Sequence, residues 1–197
     1  MPRNLLIALL LASSASTWTP DAALGATIVH ITDERLCAMA PAIVGGEVVS
    51  LLAQVRPGTH QVVTRAQFRI DRVLKGKDVP GEIAIRIPGG SVPDRTTRVP
   101  GAPRFRVGER SILFIRPGRD GDGRILGLSR GKFDIVADPE TGTDWIVQDT
   151  EGLNQIVLEG RLAPERYLMK DGEGRVPLDE VLATLDEVVA QCRDERP

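Results

Sequence analysis

The chain has 197 residues, enough for one domain with a sizeable core, and its 42% hydrophobic and 26% charged residues are typical of a folded globular protein. Aromatic residues make up only 4%, so the core must be mainly aliphatic. The net charge of −2 gives no overall attraction to nucleic acid or to acidic membranes, although arginine supplies 21 of the 25 basic residues.

The N-terminus carries the pattern of a secretory signal peptide. Arg3 is followed by an apolar run over residues 5–15, and the small residues Ala23 and Gly25 precede Ala26. The run is too short for a membrane-spanning helix, and no later segment reaches the necessary apolar length. We therefore predict a signal peptide at residues 1–25, a single domain at 26–197, and a secreted or periplasmic protein without a membrane span.

The predicted domain begins with a short helix and two long strands. Thr32 and the acidic residues after it are typical of a helix start and predict a helix over residues 32–40. The apolar run 43–55 predicts a strand with a bulge or bend at Gly45-Gly46. The alternating run 61–76 predicts a second long strand.

Shorter strands follow, separated by glycine, proline and aspartate. No alternation of helices with strands appears, so a doubly wound sheet is excluded, and the pattern predicts an antiparallel sandwich or barrel. The predicted strands lie within residues 81–90, 111–116, 124–128, 132–138 and 144–149, and residues 91–104 are expected to form an irregular loop.

The C-terminal segment predicts an amphipathic helix over residues 178–192. Pro177 stands just ahead of it, and its apolar positions recur at helical spacing on one face. Because the opposite face is acidic, we expect the apolar face to pack on the β structure rather than on a membrane. The apolar positions are Leu178, Val181, Leu182, Leu185, Val188 and Val189.

The segment Gly127-Leu128-Ser129-Arg130-Gly131 matches the G-x-S-x-G motif of nucleophilic serine enzymes. That motif needs a helix after the serine and a histidine later in the chain. Here a strand-like run follows, and both histidines precede Ser129. We therefore interpret Ser129 as a turn residue.

Neither calcium nor zinc binding is predicted, and no cofactor is expected. The run Asp120-Gly121-Asp122-Gly123 lacks the further ligands of a calcium loop and is typical of a hairpin turn. Two histidines and two cysteines show no zinc-ligand spacing. His30 lies close to Ala26, where a new α-amine and an imidazole could pair on a metal; the alternative is a mobile terminus.

Arginine is concentrated between residues 95 and 119, where Glu109 is the one acid. A functional interpretation is an anion-binding or partner-binding face; the alternative is a solvated strand edge. Phe105 and Phe114 are too few to form a base-stacking platform, so nucleic acid is not expected as a partner. The candidate contacts are Arg95, Arg98, Arg104, Arg106 and Arg110, with Arg116 and Arg119 beyond them.

Cys37 and Cys192 are the two cysteines of the chain. An even count in an oxidising compartment makes a disulfide between them the default expectation. A catalytic thiol would need a neighbouring base, and no histidine is near either cysteine in sequence.

Cys37 ahead of "AIVGGEVVSL", followed by a strand that ends "FRIDRVLKGK", resembles the netrin-like module of the tissue inhibitors of metalloproteinases. The resemblance covers residues 37–77, including Lys75-Gly76, and the C-terminal helix. It implies an OB-type barrel whose terminal helices are tied by disulfides, with Cys192 as the second cysteine. It also implies a partner contact at the predicted N-terminus, Ala26, although Ala26 stands where the inhibitors have a zinc-chelating cysteine. His30, close to that terminus, would be the second residue of this possible contact.

Together these observations predict a mainly β protein, an OB-type antiparallel barrel with a C-terminal amphipathic helix. We expect a non-catalytic binding module, similar to a protease inhibitor or an envelope interaction protein. Its partner would be a protein, such as an extracellular protease, or an anionic polymer. The alternative is a small secreted hydrolase with a carboxylate pair that the 27 acidic residues do not reveal in sequence.

Overall fold

The computed structural model describes residues 26–29, 33–148, 153–156 and 176–194. The predicted signal peptide and His30 lie outside the described residues. Within these ranges the chain forms twelve strands, two α-helices and a short 3-10 helix, in this order: β1 (Ala26–Val29), α1 (Asp33–Met39), β2 (Ala42–Val55), β3 (Val62–Lys75), β4 (Glu82–Pro88), β5 (Gly90–Val92), β6 (Arg95–Thr97), β7 (Arg110–Pro117), β8 (Gly123–Ile125), the 3-10 helix (Leu128–Gly131), β9 (Lys132–Ala137), β10 (Asp144–Val147), β11 (Leu153–Ile156), β12 (Val176–Pro177) and α2 (Leu178–Asp194).

Five strands close into a barrel. Strand β2 pairs with β3, β3 with β4, β4 with β8, β8 with β7, and β7 again with β2. All of these pairs are antiparallel except β4 with β8, which run parallel where Ile85 lies opposite Gly123. This arrangement, with helix α2 at the C-terminal end, confirms the predicted mainly β, OB-type barrel.

The long β2–β3 hairpin is irregular at the predicted glycine pair. The register between the two strands shifts between Gly45 and Gly46. A Cβ on Gly46 would lie 2.1 Å from the carbonyl oxygen of Arg69, so only glycine fits at this close approach of the two strands.

Residues 43–46 of β2 and residues 111–115 of β7 are buried on both faces, which explains the continuous apolar runs there. Val44 and Leu113 point into the barrel, where they join a core that includes Phe68 and Ile85. The opposite faces of the same strands pack against the helices in a second core. That core contains Ile43, Ile112, Phe114 and Phe133 from the sheet, Leu36 and Cys37 from α1, and Val181, Leu185, Val188 and Val189 from α2.

Helix α2 confirms the predicted amphipathic helix and extends it by two residues. The predicted apolar face is the buried one: Val181, Leu185, Val188 and Val189 are buried, and Leu178 and Leu182 are partly buried against them. The helix packs on α1 and on strands of the sheet. Among the described helices, none has the length and apolar character needed to cross a membrane.

The prediction of an irregular loop over residues 91–104 is wrong for the first half of that segment. Strands β5 and β6 form a small hairpin there, with Gly90 opposite Thr97 and Val92 opposite Arg95. Each strand has only three residues, too few for an alternating pattern to be recognised. Residues 98–109 carry no strand.

Candidate functional site

Arg95 and Arg110, the first and last of the five arginines singled out in the sequence, lie near different positions along β2. Arg95, in the β5–β6 hairpin, donates to the carbonyl oxygen of His60 and to Asp94, each at 3.4 Å. That hairpin lies beside Ala53 near one end of β2. Arg110 lies opposite Glu47, which comes six residues, or about 20 Å, before Ala53 along β2. Its Nη1 forms an ion pair with Asp144 at 2.9 Å. Arg98, Arg104 and Arg106 are exposed on the segment between β6 and β7.

A different set of arginines is brought together by the barrel wall. Arg65 on β3 lies directly opposite Arg86 on β4, and Arg116 on β7 lies directly opposite Arg124 on β8. Because β8 is paired with β4, these positions form a row across four adjacent strands, spaced about 4.8 Å apart. We call Arg65, Arg86, Arg124 and Arg116 the arginine row.

The row faces away from the barrel interior. Its sequence neighbours Ala66, Ile85 and Ile115 are buried in the barrel core, so strand alternation turns the arginines outward. Arg65 and Arg116 are exposed, and Arg86 and Arg124 are half-buried.

Asp122 anchors one end of the row. Its carboxylate accepts two hydrogen bonds from Arg65, at 3.1 and 2.9 Å, and two from Arg86, at 3.1 and 2.7 Å. The residue is 3% exposed, so these charge-assisted bonds replace the water that its carboxylate loses. Both guanidinium groups are thereby held in fixed orientations.

Asp120 links the middle of the row. Its Oδ2 lies 2.5 Å from Nη1 of Arg86 and 2.7 Å from Nη2 of Arg124. The hydrogen bond from Arg124 holds the pKa of Asp120 below its ordinary value of 3.8, and the nearby charges of Arg124 and Arg86 act in the same direction. Asp120 and Asp122 stand in the hairpin turn between β7 and β8, as the sequence predicts.

The row carries an excess of positive charge. Four guanidinium groups face two carboxylates, which leaves two charges of the row uncompensated within it. Among the described residues, Arg116 makes no hydrogen bond or ion pair, and Nη1 of Arg65 has no acceptor. The surface therefore presents the free Nη1 of the held Arg65 and the unpaired guanidinium group of Arg116, donors that suit an oxyanion.

A carboxylate pair also exists, at one end of the barrel. Nζ of Lys132 lies 2.6 Å from Oε1 of Glu109, contacts Asp134, and stands 4.8 Å from the ring centroid of Phe105. Burial raises the pKa of Asp134, the contact with Lys132 opposes the shift, and the charge of Glu109 adds to it. The ammonium group contacts both acids, so a substrate atom could approach the pair only by displacing it.

Ser129 lies in the 3-10 helix and is buried, and strand β9 follows it where a nucleophile elbow would have a helix. His60, the histidine within the described ranges, is exposed in the turn between β2 and β3. Over the same ranges, no group of three His, Cys, Asp or Glu side chains could hold a metal ion. The site chemistry of the described residues is therefore that of the arginine row and the Lys132 cluster.

The netrin-like resemblance implies an N-terminal contact at Ala26 and a disulfide between Cys37 and Cys192, and the structure describes each of these features only in part. Ala26 begins β1, which pairs in parallel with β11, with Ala26 opposite Leu153. Cys37 is buried in α1, and Cys192 lies on α2, which packs against α1, although the side chain of Cys192 lies outside what the structure describes. The disulfide stays a prediction.

No protein-family model matches the chain, and no curated protein sequence matches it significantly. Its function therefore has to be inferred from the chemistry of its own surface.

Proposed function

We propose that the protein is an exported, non-catalytic binding module whose arginine row binds an acidic polysaccharide. The observation that supports this proposal is the row itself, which has four guanidinium groups on adjacent strands and two uncompensated positive charges. Export is inferred from the predicted signal peptide at residues 1–25.

The position of the row supports a binding role. OB-type barrels bind oligonucleotides and oligosaccharides on the face of their second and third strands and on the loop between the fourth and fifth. In this barrel those elements are β3, β4 and residues 118–122. Arg65 and Arg86 stand on that face, and Asp120 and Asp122 on that loop.

A polysaccharide fits this surface better than a nucleic acid. Single-stranded nucleic acids are held by stacking on aromatic side chains, which contributes roughly 1–3 kcal/mol per base. None of the described aromatic residues belongs to the row: Phe68, Phe114 and Phe133 are buried in the two cores, Phe105 packs on the barrel core, and Trp145 lies on β10. A linear polyanion can reach several guanidinium groups at once without any stacking.

The test is binding of the purified chain to polygalacturonate, a carboxylated polymer, by isothermal titration calorimetry. The double variant Arg116→Gln/Arg124→Gln should weaken binding about tenfold, equivalent to ~1.4 kcal/mol. The matched control, Arg98→Gln/Arg106→Gln, removes the same charge from the exposed segment between β6 and β7 and should change the affinity less than twofold.

The opposite pattern would move the site to the segment singled out in the sequence and overturn the role of the row. Tighter binding to single-stranded DNA than to polygalacturonate would overturn the choice of ligand. Binding to neither polymer would favour a protein partner, such as the extracellular protease that the netrin-like resemblance implies.

A further inference from the structure

The two aspartates of the row are held very differently. Asp122 is almost fully buried and accepts four hydrogen bonds from two arginines, while its backbone oxygen accepts another from Gly118 at 2.7 Å. The side chain of Asp120 is 33% exposed and contacts one nitrogen of each of two arginines. Asp122 is an anchor, whereas Asp120 is an exposed carboxylate lying on a cationic surface.

From this difference we propose that Asp120 occupies the position of a ligand carboxylate, and that a uronic-acid unit of the polysaccharide displaces it on binding. The proposal rests on the proposed function and adds to it both the ligand group and the place where that group binds. It follows from what the arginines can offer once Asp120 moves away.

The arginines would stay in place without Asp120. Arg86 is held through its Nε and Nη2 atoms by Asp122, so its Nη1 keeps its direction. Arg124 is held by its own Nη1, which donates to the carbonyl oxygen of Gly123 at 3.3 Å. Nη1 of Arg86 and Nη2 of Arg124 would therefore remain as two aligned donors for one incoming carboxylate, next to the free Arg116.

There is open space beside the turn that carries Asp120. The next residue, Gly121, has φ +81 and no atom within 4 Å of where its Cβ would be, so this side of the turn has room for a displaced carboxylate. Displacing Asp120 would raise the excess charge at the row from two to three, because four arginines would then face Asp122 alone. A carboxylate is the natural ligand group, since a carboxylate already satisfies the same two donors.

The experiment measures the dissociation constant for polygalacturonate of the wild type, Asp120→Asn and Glu140→Gln. Asp120→Asn removes the carboxylate that competes with the ligand, so this variant should bind polygalacturonate about tenfold more tightly than the wild type. Glu140 is exposed in the turn between β9 and β10, so Glu140→Gln removes the same charge away from the row and should leave affinity within twofold of wild type.

A second variant guards against a distorted turn. Asp120 also accepts a hydrogen bond from the backbone N–H of Asp122 at 3.2 Å, which a serine oxygen can replace. Asp120→Ser should therefore tighten binding like Asp120→Asn.

If both variants bind no better than the wild type while Arg116→Gln/Arg124→Gln binds worse, the row is the site and displacement of Asp120 is wrong. If dextran sulfate, which carries sulfates and no uronic acid, gains more than polygalacturonate from Asp120→Asn, the ligand group is a sulfate and the assignment of a uronic acid is overturned. If wild type and both variants fail to bind either polymer, the proposed function itself is wrong.

Discussion

Nζ of Lys75 lies 2.5 Å from the carbonyl oxygen of Cys37, a contact that joins the end of β3 to the last turn of α1. The carbonyl groups at the end of a helix have no partner within the helix, and a cation there also interacts favourably with the helix dipole. Lys75 is buried, and Gly76 follows it with φ +122, where a Cβ would crowd Ala42 and Val79. The Lys-Gly pair of the netrin-like resemblance thus has a structural role in this chain.

The first prediction concerns this contact. Lys75→Met keeps the length of the side chain but removes the short charge-assisted hydrogen bond to the carbonyl oxygen of Cys37, which keeps only the longer bond from the backbone N–H of Ala40, at 3.3 Å. We therefore expect the free energy of unfolding to fall by about 1–3 kcal/mol. Urea denaturation followed by circular dichroism measures the change. The exposed Lys77 provides the control: Lys77→Met should change stability by less than about 0.5 kcal/mol, and an equal loss in both variants would contradict a specific role for Lys75.

The second prediction is the disulfide between Cys37 and Cys192. Helices α1 and α2 pack together, which is the arrangement that such a bridge requires. The bridge would close a loop of about 155 residues, and on the chain-entropy model it would contribute ~4–5 kcal/mol, less any strain. The intact mass of the exported protein, measured with and without reduction before alkylation, checks it. Alkylation of both cysteines without prior reduction would show that no bridge forms.

Much of the fold could be predicted from local patterns. The alternation in β3, the one-sided apolar face of α2 and the glycine pair of β2 each determine a local structure by themselves. The 3-residue strands β5 and β6 could not be predicted, because too few residues are present for a period to show.

The arginine row could not be predicted for a different reason. Strand alternation predicts that Arg65 and Arg86 point outward. That they lie opposite each other depends on the register between β3 and β4, which the local pattern of neither strand determines. The closure between β4 and β8 then brings in Arg124 and Arg116. Sequence proximity instead favoured the run from Arg95 to Arg110, whose first and last members lie near different positions along β2.

The third prediction is a pair of opposite titrations. Burial should move the midpoint of Asp134 above 3.8, while the hydrogen bond from Arg124 should move that of Asp120 below 3.8. NMR titration of the side-chain carboxyl carbons measures both in one sample. Equal midpoints would contradict the two environments.

Stability should follow the shift of Asp134. Because the pKa of this acid is raised on folding, the folded state binds its proton more tightly than the unfolded state above pH 3.8. The contribution of Asp134 to the free energy of unfolding therefore falls as the pH rises from 3.8 through the pKa of this acid in the folded state. Asp134→Asn should lack this loss, so the stability difference between variant and wild type should move in favour of the variant between pH 4 and pH 7. A constant difference would contradict the assignment.

The last prediction separates the two glycines at the register shift of β2. A Cβ on Gly46 would lie 2.1 Å from the backbone oxygen of Arg69, so Gly46→Ala must push β2 and β3 apart. A Cβ on Gly45 would find its nearest neighbour, Cβ of Arg72, at 3.5 Å, an ordinary contact. We expect Gly46→Ala to cost about 3 kcal/mol in urea denaturation, the upper end for overpacking, and Gly45→Ala to be nearly neutral. Similar losses in both would mean that the register shift needs backbone freedom at each position, whereas a harmless Gly46→Ala would contradict the close approach of β2 to β3 at Gly46.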